Sequence, residues 1–186
     1  MLRLIKAGLV GGLVLFMWYT VSWTMLTWHQ KTFHSLPYGD VILQTMLEGN
    51  QSIQKDPLKS RIYIAPIIKD IKNKEIPGYD ESAFAFIALS PNGLKPMSQQ
   101  IFFSLFTQTL LAFLMSLIII VVNSSNFLKS YSIVLLSSVL VAVASSLPMN
   151  NWWGFAGDYL TVDSIDLLIA WILAGIPIAF FAKAKA

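Results

Sequence analysis

Residues 7–26, "AGLVGGLVLFMWYTVSWTML", run for twenty positions without a charged side chain. At about 1.5 Å per residue, a helix of that length reaches across a hydrocarbon core of about 30 Å. Nothing else limits the fold as strongly, because backbone in lipid must satisfy its own hydrogen bonds, and a single segment does so as a helix. Three further stretches repeat the pattern. They are 101–122, ending in "LIIIVV"; 127–147, with only Lys129 charged near its start; and 165–182, with Asp166 near its start and Pro177 inside. The chain reads as a mainly α membrane protein: four transmembrane helices with a small α+β extramembrane insert between helices 1 and 2. In domain terms this is residues 1–28 as helix 1, 29–98 as the insert and 99–186 as helices 2–4. A cleaved signal peptide is the competing reading of the first stretch, with Arg3 and Lys6 as its basic head. The apolar run exceeds the usual ~7–15 residues and no A-x-A site follows, so a retained helix is expected.

Composition supports a bilayer as the solvent. The chain is 55% hydrophobic and 12% charged, against about 25% charged in a soluble domain. It has no cysteine, which excludes disulfides and thiolate metal sites. The formal charge of +3 is scattered rather than gathered into a stripe, so nucleic acid is not an expected partner.

Orientation follows from Lys and Arg in the short segments. Arg3 and Lys6 precede the first span, Lys129 lies in the 123–130 loop, and Lys183 and Lys185 follow the last span. The 148–164 loop has no basic residue but carries Asp158 and Asp163. Both termini and the 123–130 loop are therefore expected in the cytoplasm, with residues 29–98 and 148–164 on the other side. Trp23, Trp28, Trp152 and Trp153 then fall at one boundary, where an indole finds both an apolar surface and a hydrogen-bond partner.

Within the insert, "YGDVILQTMLEG" (38–49) reads as a helix closed by Gly49. "RIYIAPI" (61–67) and "SAFAFIALS" (82–90) read as strands, "SPNG" (90–93) as a turn, and "KDIKNKEIPGYDE" (69–81) as a polar connection. Small residues mark packing faces in the spans: Gly8 with Gly12, Ser138 with Ala142 and Ser146, Ala170 with Ala174, and Gly175 with Ala179. Sequence leaves open whether these faces join helices within one chain or between chains. Gln100, Ser104 and Gln108 form a polar stripe on the second span, either as hydrogen-bonding glue or as the wall of a cavity.

No ionisable side chain is expected in the middle of a span, which argues against an ion-coupled pump. There is no Walker A, H-E-x-x-H or G-x-S-x-G motif. His29 and His34 share a side of the membrane with Asp158, Asp163 and Asp166, and two imidazoles with a carboxylate, Asp158 being the preferred one, could hold zinc or do acid–base work at the surface. His29 and His34 are five apart, so on a continuous helix they would diverge by about 140°. Asp163 and Asp166 are read as caps at the start of the fourth helix. "NNWWGFAGDY" (150–159) suggests a docking corner in which Asn150, Asn151, Trp152, Trp153 and Asp158 meet Trp23, Trp28 and His29 at the end of the first span, together with the insert.

Taken together, "WYTVSWTMLTWH", "SLPYGDVILQTML", "AFAFIALSPNG", "PMSQQ" and "NNWWGFAGDYLTVDSIDLLIAWILAG" resemble a group of small uncharacterised bacterial integral membrane proteins. The resemblance implies an inner-membrane location with the insert in the periplasm. No activity is known for the group, so it supplies no site residues. The expected function is non-enzymatic: an accessory, scaffold or lipid-binding subunit of an envelope complex. Its expected partners are membrane lipid and another protein, with no cofactor. The alternatives are a membrane-surface enzyme or metal binder using His29, His34 and Asp158, and an oligomeric channel or export component lined by the polar stripe.

Overall fold

In the computed structural model the described residues are 1–53, 55–56, 59–65 and 83–184. The elements are α1 (Leu2–Met25), a 3₁₀ turn (Gln30–Thr32), α2 (Gly39–Ile53), β1 (Arg61–Ala65), β2 (Ala85–Leu89), α3 (Met97–Val121), α4 (Phe127–Trp153) and α5 (Gly157–Ala182). The four helices α1, α3, α4 and α5 are 24, 25, 27 and 26 residues long and apolar enough to span a membrane. The mainly helical, four-span architecture with a small antiparallel sheet in the insert is thus as the sequence indicates.

The chain divides into two compact units, Met1–Phe33 with Pro96–Ala186, and His34–Lys95. In the first, α1 packs on α3 and α5, α5 packs on α1 and α4, and α3 makes a smaller contact with α5. The core runs along the α1/α3/α5 seam through Ala7, Leu15, Ala112, Ile119, Ala174 and Ile178, all fully buried.

Small residues explain the close approach. A Cβ on Gly8 would lie 2.6 Å from the Phe113 ring, and one on Gly12 would lie 2.5 Å from Thr109 Cα. The Gly8/Gly12 face therefore seats α3 within the same chain. Gly175 likewise meets Tyr131 and Val134 of α4. On α4, Ser130, Val134, Ser138, Ala142 and Ser146 form a buried row at four-residue spacing. Ser146 Oγ and Ser164 Oγ of α5 lie 2.7 Å apart, a hydrogen bond across that seam.

The helix ends differ from expectation. "NNWW" is the last turn of α4 rather than loop; Gly154 ends the helix at φ +64, the left-handed conformation that favours glycine. α5 then begins at Gly157 rather than near 165. Its polar early positions remain helical because several of them face other helices rather than lipid.

In the second unit, β1 and β2 pair antiparallel from Arg61↔Leu89 to Ala65↔Ala85. Tyr63 Oη donates to Oδ1 of the buried Asn50, which ties β1 to α2. Gly93 N donates to Ser90 O at 2.9 Å and Gly93 has φ +73, forming the turn expected of "SPNG". α2 runs through Gly49 to Ile53, so that glycine does not close it. The segment 69–81 lies outside the described residues.

Candidate functional site

The most concentrated chemistry lies at the end of the bundle where α1 stops. α1 ends at Met25, and Leu26 is extended at φ −93, ψ 136. The chain then turns back: Lys31 N donates to Thr27 O at 3.2 Å, and Thr32 N and Oγ1 donate to His29 O at 3.1 and 2.8 Å. This reversal swings the His29 imidazole down along α1, where it is 1% exposed.

His29 meets Asp166 of α5. Nε2 lies 3.1 Å from Asp166 Oδ2, and Asp166 is also 1% exposed. The other carboxylate oxygen, Oδ1, accepts from Trp18 Nε1 at 2.6 Å. His29 Nε2 is also 3.1 Å from Ser22 Oγ, and Ser22 Oγ accepts from Trp28 Nε1 at 3.0 Å. Trp23 stacks on the imidazole with centroids 4.0 Å apart and planes 8° from parallel, and Trp28 meets it edge-on. Two indoles, one hydroxyl, one imidazole and one carboxylate thus close into a single network. With Asp166 ionised, the proton belongs on Nε2, where the carboxylate accepts it; Ser22 Oγ then serves as acceptor for Trp28.

These positions correct the sequence reading. Asp166 is the tenth residue of α5 and Asp163 the seventh, so neither caps the helix. Asp166 sits about 13 Å along the helix from its first residue. An ionisable group does therefore lie within a span, and a paired partner is what makes it tolerable there. The acidic residue in the first turn of α5 is Asp158, whose Oδ1 accepts from Tyr159 N at 2.8 Å. The carboxylate that meets His29 is Asp166, not Asp158. His34 opens the second compact unit. Among the described residues, no group of three or more His, Cys, Asp or Glu side chains is placed to hold a metal.

The other residues of the expected docking corner lie at the end of α4. Asn150 Nδ2 donates to Phe155 O at 2.9 Å, within its own turn. Asn151, Trp152 and Trp153 are exposed on the last turn of α4. The link to the end of α1 is aromatic: Trp23 to Phe33 at 6.5 Å, Phe33 to Tyr159 at 5.8 Å, and Tyr159 to Phe155 at 6.3 Å. Phe33 and Tyr159 carry this contact, and the sequence reading assigned a role to neither.

Gln100, Ser104 and Gln108 line a groove of about 480 Å³ between α3 and α1, facing Tyr19, Thr20 and Trp23. Gln108 Oε1 is buried there without a hydrogen-bond partner among the described residues.

Comparison with known protein families, with curated proteins and with solved structures finds no match.

Proposed function

We propose that the chain is a non-enzymatic subunit of the bacterial inner membrane that serves as an accessory or scaffold in an envelope complex. In this reading both termini are cytoplasmic and residues 29–98 are periplasmic. The observation that carries it is the closed network around His29. A serine–histidine–carboxylate hydrolase uses one imidazole nitrogen for the nucleophile and the other for the carboxylate. Here Ser22 and Asp166 both address Nε2, so a proton taken from Ser22 would arrive where Asp166 is already engaged. Both ring and carboxylate are shut away from solvent under Trp23 and Trp28. The arrangement suits a fastener between α1 and α5 better than a reactive centre or a metal site.

Native purification from the source membrane in mild detergent, followed by mass spectrometry, tests the role. A protein partner in fixed stoichiometry is expected; a lone monomer with neither protein nor lipid would contradict it.

The α1/α3 groove favours a second reading, lipid binding at the same end of the bundle. Its unpartnered Gln108 Oε1 offers an acceptor to a headgroup hydroxyl or amine. Bound lipid lost on Q108L substitution would support that reading, and unchanged retention would remove it. The channel alternative is weaker, because the walls opposite Ser104 and Gln108 are Phe16, Tyr19 and Thr20 of the same chain.

A further inference from the structure

The opposite end of the bundle carries an open groove of about 1050 Å³ between the start of α1, the α3–α4 turn and the end of α5. Arg3, Lys6 and Lys183 bring three cationic side chains to it. Asn123 and Ser125 add an amide and a hydroxyl, and Phe180 adds an apolar wall.

The three chain segments are fastened together. Arg3 Nη1 donates to Lys183 O at 3.0 Å, and Ala184 N donates to Ser124 O at 2.7 Å. Lys183 Nζ lies 5.6 Å from the Phe180 ring centroid. The guanidinium of Arg3 keeps further donors beyond the one spent on the carbonyl.

No Asp or Glu side chain of this unit stands near these cations in sequence. Its acidic residues are Asp158, Asp163 and Asp166, and even Asp166 precedes Lys183 by 17 positions. That is about 25 Å along a helix. Among the described residues the ion pair found is His29–Asp166, at the far end. A retained positive-inside bias and the negative end of the α5 dipole explain why cations collect on this side. They do not explain why three converge on one groove beside an amide, a hydroxyl and an apolar wall.

We propose that this groove binds a phosphate oxyanion through Arg3, Lys6 and Lys183. An anionic phospholipid headgroup and a free phosphate share that chemistry. The site lies at the other end of the bundle from the His29 network and stands independently of the scaffold reading.

The full chain in neutral detergent, measured by native mass spectrometry with phosphatidylglycerol and phosphatidylcholine of matched acyl chains, provides the test. The wild type retains phosphatidylglycerol preferentially, and K6Q and K183Q each reduce that preference about fivefold. R3Q also removes the bond to the Lys183 carbonyl, so K6Q is the cleaner variant. K129Q removes a charge beside the same turn but outside the groove, and leaves the preference unchanged. Added inorganic phosphate separates the sources: displacement of the lipid identifies a free anion as ligand, and resistance identifies the lipid headgroup. Equal retention of the two lipids by the wild type overturns the proposal, as does a K129Q loss as large as that of K6Q.

Discussion

Gly12 shows how much one hydrogen atom can decide. The neighbour a Cβ would strike is backbone, Thr109 Cα at 2.5 Å, and backbone in a packed helix cannot rotate aside. G12A is expected to cost about 1–3 kcal/mol through forced separation of α1 from α3. G157A, whose added Cβ would meet nothing within 4 Å, should not destabilise the protein. Unfolding titrations in mixed micelles would show the contrast; equal effects would contradict the packing. Asp166 is a residue the sequence nearly disclosed. It lies four before Ala170 and eight before Ala174, on the stripe whose small residues were already recognised as a packing face. Ser22 extends the α1 face of Gly8, Gly12 and Leu15 in the same way. What hid the pair was His29, because its ring reaches Asp166 only after the chain reverses beyond α1. A turn built from "LTWHQKTF" carries no glycine or proline to announce it.

The four long helices were legible as elements because uncharged runs of this length have few other solutions. Their ends were not. α5 starts with "GDYLTVDSI", a stretch whose polarity resembles a loop by composition. It is helical because Ser164 finds Ser146 and Asp166 finds Trp18 and His29, contacts that only the assembled bundle supplies. The insert gives the converse case. Gly49 looks like a helix terminator but sits inside α2, where an added Cβ would meet nothing within 4 Å. Replacing it with alanine removes backbone freedom from the unfolded chain at no steric cost. G49A is therefore expected to stabilise the α2 region by about 0.5–1 kcal/mol. Slower amide exchange along α2 would register that gain; faster exchange would show that the glycine serves some other need.

At the scale of the whole molecule, the His29–Asp166 contact joins residues 137 positions apart and fastens the first span to the last. Small-residue seams hold α1 to α3 and α5 along their length, but at this end polar groups make the closure. H29A leaves the buried Asp166 with Trp18 as its one remaining partner in this network, and D166A takes the acceptor from Trp18 Nε1 and the carboxylate from His29. A loss of about 2–4 kcal/mol is expected for each single change. The most direct measurement is a double-mutant cycle with H29A, D166A and the pair, followed by reversible unfolding in mixed micelles. The double variant is expected to lose at least about 1 kcal/mol less than the two single losses added together. Strictly additive losses, or a D166A protein as stable as the wild type, would contradict the claim that this pair fastens the bundle.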